Sequence, residues 1–339
     1  MENEKIIKLF GFDITNFSKV TIFFIGVIGI LLSFLVQGTS QEKLYSKYNY
    51  KETIFFTLNQ FFCYFLLSSR YVVRLLLKKE KLHASLKFYA FVSFILVGSM
   101  LLSNLSVERL AYSTAILFKS SKLIPVMIGS MIFLRKKYNV YEILSVLLVV
   151  GGLYGISMSD KKAKNKFDPF GVVLMAISLS CDAISSNLQE KALDQYNAPQ
   201  DEVISMMYAF GSGYLFILSL FTGQFQRGVT LCYYHSDMIF YLLSFGFLGG
   251  IGVNFVYLIM KAFGSLVTVM VTSCRKALTF SLSFILFPDK RFTKFHLLSV
   301  ITIATGVSLN YYGKSLHKKT NIKAFQDIED KQEIPNDPA

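Results

Sequence analysis

Long uncharged segments recur along the whole chain, and they constrain its fold more than any other feature. Several approach or exceed the roughly 20 residues that a helix needs to cross a bilayer. They occupy residues 20–37, 53–69, 88–107, 143–159, 203–222, 238–260 and 295–313. Hydrophobic residues make up 53% of the 339 positions and charged residues only 17%, a balance unlike that of soluble domains. The sequence therefore predicts an all-α polytopic membrane protein.

An internal repeat divides the chain into two halves. Gln41-Glu42-Lys43 recurs as Gln189-Glu190-Lys191, 148 residues later, and Lys122 recurs as Lys276, 154 residues later. One longer loop, at residues 222–237, would absorb the difference. The predicted spans are 19–38, 52–77, 86–107, 110–134, 139–158, 169–190, 202–222, 238–261, 264–288 and 293–313. Ten spans in two repeats put five in each, and an odd number gives the second repeat the opposite orientation, as in many transporters.

These spans predict four parts of the chain. An N-terminal segment, 1–18, precedes the first five-helix repeat at 19–158. The second five-helix repeat follows at 159–313, and the charged residues 314–339 form a disordered tail.

Basic residues cluster at the ends of the spans, although the net charge is +13. Positive-inside bias and lipid headgroups explain this distribution, so we expect a lipid bilayer as partner and no nucleic acid. The bias places both termini in the cytosol. The lysine-rich loop at residues 161–166 opposes that orientation.

Four cations lie where hydrocarbon is expected: Lys119, Lys122, Arg275 and Lys276. A charge at bilayer depth costs roughly 3 kcal/mol or more, so such residues usually face a water-filled cavity or a partner. No carboxylate lies near them in sequence, and we therefore predict that they bind an anionic substrate. The alternative is that the longer side chains extend to the membrane interface.

The two Gln-Glu-Lys copies end spans one and six. We expect Gln41 and Gln189 to contact substrate, and Glu42 and Glu190 to act as gating residues, either by pairing with intramembrane cations or by closing one face. The alternative is that both copies are interfacial helix ends. In span six, Asn187 is predicted to line the cavity and contact substrate, whereas Asp182 is predicted to form helix–helix hydrogen bonds.

Signals of an enzyme are weak. The four histidines do not pair with cysteines or carboxylates at ligand spacing, and there is no Gly-rich phosphate loop. We therefore expect no metal, no cofactor and no catalytic residues. A permease for small cationic or amphipathic metabolites is an alternative that the basic site disfavours. A membrane-embedded transferase is another, which the missing acid–base constellation disfavours.

Two motifs carry a resemblance to a known family. The segments Phe-Lys-Ser-Ser-Lys-Leu-Ile-Pro-Val-Met at 118–127 and Thr-Ser-Cys-Arg-Lys-Ala-Leu-Thr at 272–279 resemble those of the nucleotide-sugar transporters in the drug/metabolite transporter superfamily. They are most similar to the branch that holds Golgi transporters of 3′-phosphoadenosine 5′-phosphosulfate (PAPS) and certain UDP-sugar transporters. The motifs Phe-Tyr-Asn-Asn and Gly-Ala-Leu-Asn-Lys of GDP-mannose carriers are absent.

The resemblance implies a multi-pass Golgi antiporter. It would carry PAPS from the cytosol to the lumen for sulfation, in exchange for an adenosine nucleotide such as adenosine 3′,5′-bisphosphate. The alternative is an antiporter of UDP-sugars or other nucleotides in the endoplasmic reticulum or Golgi.

Overall fold

Helices dominate the part of the chain that the computed structural model describes, namely residues 8–9, 12–48, 52–109, 121–159, 168–286, 297–299 and 301–313. Within these ranges, the side chains of residues 8–13, 41–43, 45–48, 104, 107–109, 156–159 and 276–286 are not described. The elements are β1 Lys8–Leu9, β2 Phe12–Asp13, α1 Lys19–Tyr48, α2 Thr53–Leu76, α3 Leu86–Arg109, α4 Leu123–Phe133, α5 Val140–Ser159, α6 Pro169–Asp194, α7 Gln200–Phe221, α8 Gln224–Tyr234, α9 Ser236–Phe263, α10 Ser265–Leu286 and α11 Leu297–Gly313.

Five of the described helices are long and apolar enough to cross a membrane: α1, α3, α6, α7 and α9. Shorter apolar segments lie in α4, α5, α10 and α11. The outer surfaces of the long helices expose large apolar side chains such as Phe24, Leu32, Phe94 and Ile217. So much exposed apolar surface suits lipid and not water. The protein is a multi-pass α-helical membrane protein.

Three helix pairs form the largest contacts: α1 with α9, α2 with α7, and α3 with α6. Small residues allow close approach where α1 crosses α9. A Cβ atom built on Gly29 would lie 2.5 Å from the ring of Phe255, and one on Gly252 would lie 2.7 Å from Ser33 Oγ. Because low residue numbers on α1 meet high numbers on α9, the two helices run antiparallel.

The remaining helices complete the bundle. α4 packs on α6 and α10, and α10 also contacts α5 and α9. α5 packs on α11, where Asn310 Nδ2 donates to Ser145 Oγ at 3.1 Å and Gly152 contacts Ile303. We call the side on which α6 ends and α10 begins the Glu190 face. The opposite side, on which α2 begins, is the Glu52 face.

Buried carboxylate contacts connect α2 to α7 at the Glu190 face. Glu202, at the start of α7, is fully buried and accepts hydrogen bonds from the hydroxyls of Tyr71, at 2.7 Å, and Tyr89, at 2.8 Å. The backbone N–H of His83 also donates to it, at 2.9 Å, and His83 Nδ1 lies 2.7 Å from its other oxygen. This Glu202 cluster fixes the α2–α3 connection against α7.

At the Glu52 face, a second contact joins the other ends of the same two helices. Glu52 immediately precedes α2, and Arg227 Nε donates to its carboxylate at 3.0 Å. Arg227 lies on α8, which follows α7 after a short turn at Gly223.

The expectation for one short segment is corrected. Residues 222–237 are not a plain loop, because α8 occupies most of them and packs through Phe225 on Phe55 and Phe216. Within the predicted segment 1–18, β1 and β2 pair as antiparallel strands. The predicted tail, 314–339, lies outside the described residues.

Candidate functional site

A cavity of about 360 Å³ lies in the middle of the bundle, between α1, α3, α6 and α10, with Lys122 at the start of α4. Its size is within the range of small-molecule sites, which is about 300–1,000 Å³. Lys122, Thr272, Ser273 and Arg275 line one side. On the other side, α3 and α6 present the apolar Met100, Met175 and Leu179 together with the polar Ser99, Ser103, Ser178 and Asp182. The site can therefore accommodate an anionic group beside an apolar or aromatic one.

Lys122 and Asp182 form an ion pair inside this cavity. Lys122 Nζ lies 2.6 Å from Asp182 Oδ2, and the two side chains are 24% and 28% exposed. The pair forms because Lys122 immediately precedes α4, which packs alongside α6. Asp182 therefore links two helices, as expected, through this contact with the residue that precedes α4. The sequence did not indicate that Asp182 is the partner of Lys122, because 60 residues separate the two.

Arg275 contributes the second described cation of the cavity. Its guanidinium carbon lies 4.4 Å from the centre of the Phe34 ring on α1. At this distance, a cation–π contact stabilises the charge and holds the planar group over the ring. Thr272 and Ser273 lie less than one turn before it on α10 and supply hydroxyl groups to the same wall.

The other predicted site residues are described only in part. Lys119 lies outside the described residues. The backbone of Lys276 belongs to α10, directly after Arg275, but its side chain is not described. Gln41 and Glu42 belong to α1, and their side chains are likewise not described.

Asn187 and Gln189 are buried between helices and do not line the cavity. Asn187 Nδ2 donates to the carbonyl of Ala183 at 2.8 Å and to that of Val126 at 3.2 Å. Gln189 Nε2 donates to Ser185 Oγ at 3.0 Å. On α6, Asp182 is thus among the residues that line this cavity, and Asn187 joins α6 to α4 through the Val126 carbonyl. Contact of Asn187 and Gln189 with substrate stays a prediction.

Glu190 forms a polar cluster at the face named after it. Its side chain is 3% exposed and pairs with Lys136 Nζ, while Ser265 Oγ donates to it at 2.6 Å. Gly264 permits this contact, since a Cβ atom there would lie 2.5 Å from Glu190 Oε1. The Glu190 cluster thus joins the ends of α4 and α6 to the start of α10.

An apolar layer separates the cavity from the Glu190 cluster. Leu123 and Val126 of α4 pack there with Val269 and Met270 of α10, and all four are buried. Packed apolar side chains and the Glu190 cluster thus lie between the cavity and the Glu190 face. The cavity accordingly lies on the Glu52 side of this barrier.

Comparison with known proteins identifies a family for this chain. Residues 22–314 match the UAA transporter family. The adenosine 3′-phospho 5′-phosphosulfate transporter 2 of Aedes aegypti is 34% identical over 316 residues, which cover 92% of this chain and 82% of the relative. The human protein of that name is 34% identical over 311 residues, covering 91% and 77%.

A solved structure described as "Crystal structure of protein" is similar in fold. Its TM-score is 0.64 at 12% identity, and the match covers 88% of this chain and 99% of that one. At this identity the likeness concerns the fold alone. The match to the family extends over most of the chain, including every described side chain of the cavity. This chain therefore belongs to the UAA transporter family.

Proposed function

We propose that this protein is a Golgi antiporter that carries PAPS from the cytosol to the lumen in exchange for an adenosine nucleotide. The observation that carries the proposal is a cationic cavity in a chain that matches PAPS transporters over more than 90% of its length. A PAPS molecule bears close to four negative charges at neutral pH, since the second ionisation of a phosphate is near pH 6. Its adenine would lie against Met100, Met175 and Leu179.

Lys122 and Arg275 hold the phosphate and sulfate groups in this proposal. Arginine can bind two oxygens of such a group in a bidentate fork, whereas lysine acts as a movable point charge. Lys119 and Lys276 are proposed as the second cation on each helix. A UDP-sugar is the alternative substrate, because its diphosphate would suit the same cations.

The proposed architecture is ten spans in two inverted five-helix repeats, at 19–158 and 159–313. The helix contacts support it. If each span of the first repeat corresponds to a span of the second, the contact of α1 with α9 corresponds to that of α6 with α3. Exchanging the two repeats swaps α2 with α7 and α4 with α10, so each of these two contacts is left unchanged, as the symmetry requires.

Two carboxylate contacts support the same arrangement of repeats. Glu52, just before α2, pairs with Arg227 in the connection after α7. Glu202, in the first turn of α7, contacts His83 in the connection after α2. Each contact joins the start of one helix to the connection after the other, at opposite faces, which is the arrangement that inverted repeats would give.

Transport would proceed by alternating access around the central cavity. With both termini cytosolic, the Glu190 face is the cytosolic one. The apolar layer and the Glu190 cluster would then form its closed gate, and the cavity would face the lumen. Glu190 then acts as a gating residue: its contacts with Lys136 and Ser265 must break before substrate enters from the cytosol. Glu42, its counterpart in the first repeat, is proposed to serve the lumenal face.

Exchange would be obligatory because of the charge in the cavity. Closing an empty site that holds several cations removes their water and strengthens their mutual repulsion. A bound anion cancels this cost in both directions of the cycle. Net uniport as fast as exchange would contradict this part of the proposal.

Uptake into liposomes tests the function. Purified protein is reconstituted, and uptake of sulfate-labelled PAPS is compared between liposomes preloaded with adenosine 3′,5′-bisphosphate and empty ones. We expect uptake that depends on the preload and that excess UDP-sugars do not inhibit. The Lys122→Ala variant should lose this uptake, whereas the control variant Lys87→Ala, changed at an exposed residue, should retain it. Counterflow of a UDP-sugar without uptake of PAPS would assign the alternative substrate.

A further inference from the structure

Asp182 is the described carboxylate of the cavity, and the proposed function leaves it without a role. It lines the cavity together with Lys122 and Arg275, and its oxygen lies 2.6 Å from Lys122 Nζ. The ammonium group has three N–H donors, but a phosphate or sulfate bound at any of them would lie close to the Asp182 carboxylate and be repelled by it. Substrate and Asp182 therefore compete for one ammonium group.

We propose that Asp182 is an internal substitute anion, which occupies Lys122 in the empty cavity and competes with the bound substrate. This inference rests on the proposed function, because it assigns a role within the same anion site. Asp182 is a positioning residue here: it acts on substrate through Lys122.

The geometry supports competition over a purely structural ion pair. Both side chains are about one quarter exposed, so water reaches the pair and its exchange with a ligand needs no unpacking of the core. Packing between α4 and α6 is already maintained by apolar contacts and by the hydrogen bond from Asn187 to the carbonyl of Val126. Separating Asp182 from Lys122 therefore leaves the helix contact intact.

Competition has opposite effects on affinity and on release. An ionised Asp182 repels a substrate anion and withholds Lys122 from it, so it weakens binding. When the site opens, the same carboxylate can return to Lys122 as the anion leaves, so it accelerates release. It also lowers the net positive charge of the empty cavity by one.

Asp182→Asn tests the inference, since it removes the charge with little change in shape. We expect the Kd of adenosine 3′,5′-bisphosphate and of inorganic pyrophosphate to fall about tenfold, which corresponds to about 1.4 kcal/mol. The KM for exchange should fall as well, while kcat also falls because release is slower. Asp182→Glu keeps the charge and should retain values near those of the unaltered protein.

A purely structural role predicts the reverse. Unchanged or weaker binding in Asp182→Asn, with a melting temperature close to that of the unaltered protein, would overturn the inference. If Asp182→Asn lowers the melting temperature, the Kd of pyrophosphate is measured for Asp182→Ala instead. A tenfold lower Kd supports the inference, and an unchanged or higher Kd contradicts it. Uptake into empty relative to preloaded liposomes should also decrease in Asp182→Asn, because the empty site then carries one more uncompensated cation.

The binding measurements separate this inference from the proposed function. Pyrophosphate is a generic anion, so its affinity reports on Lys122 and Asp182 whether or not PAPS is the substrate. If the unaltered protein takes up no PAPS but Asp182→Asn still binds pyrophosphate more tightly, the substrate assignment fails and the competition stands.

Discussion

Breaking the Glu190 cluster should open the Glu190 face. In Glu190→Gln, the amide keeps the shape of the side chain and can still accept from Ser265, but it cannot form the ion pair with Lys136. The pair combines a buried carboxylate with an ammonium group on a side chain that is 35% exposed. Its contribution to the stability of the conformation closed at the Glu190 face should therefore lie between those of surface and fully buried ion pairs, at about 2 kcal/mol. This energy shifts the equilibrium between the two conformations about thirtyfold.

Thiol labelling can measure that shift. Thr268 lies on α10 between the cavity and the Glu190 cluster and is buried. A cysteine at this position, in a protein without the four native cysteines, should react slowly with a membrane-impermeant reagent applied from the Glu190 face. We expect Glu190→Gln to raise the labelling rate about thirtyfold, and saturating substrate to change the rate further.

A double-mutant cycle provides the control. Lys136→Gln should accelerate labelling by a similar factor, and the double variant should be no faster than either single one, because only one ion pair is lost. Independent, multiplicative effects of the two changes would refute the reasoning. A labelling rate unchanged in both single variants would refute it as well.

Three further changes test the packing and the site. Gly29→Ala should lower the melting temperature by several degrees, because its Cβ would lie 2.5 Å from the ring of Phe255, whereas Gly98→Ala, with no atom within 4 Å, should leave it equal or slightly higher. Gly264→Ala should destabilise the conformation closed at the Glu190 face, since the backbone has a φ of 89° there and the new Cβ meets the Glu190 cluster, and thiol labelling from that face should accelerate. Arg275→Lys should raise the KM for nucleotide exchange about tenfold, since an ammonium group cannot bind two oxygens in a fork, with little effect on the melting temperature.

The general class of the fold could be predicted from the sequence, because it depends on local composition. Uncharged segments of span length must become helices in a bilayer, where every backbone polar group needs a partner. The position of Lys122 and Arg275 in one cavity was also predictable, since charges inside such segments require a polar environment. Both conclusions follow from the energetic cost of polar groups in hydrocarbon.

The partners of the site residues could not be predicted in the same way. Whether Asp182 or Asn187 faces the cavity depends on the rotation of α6 about its axis, which contacts with α3 and α4 determine. The pairing of Glu190 with Lys136 likewise depends on the turn after α4, where Arg135 has a φ of 52°. Such contacts join residues that are 50 or more positions apart, and periodicity within one helix does not encode them.

The contacts at both ends of α2 and α7 have a mechanical consequence. A motion that opened either face by separating these two helices would first have to break the Glu202 cluster or the pair of Glu52 with Arg227. Neither contact includes a residue of α4 or α10. In the proposed alternating-access cycle, the α2–α7 pair would therefore stay together, while α4 and α10 would tilt against it to expose the cavity on one side of the membrane and then on the other.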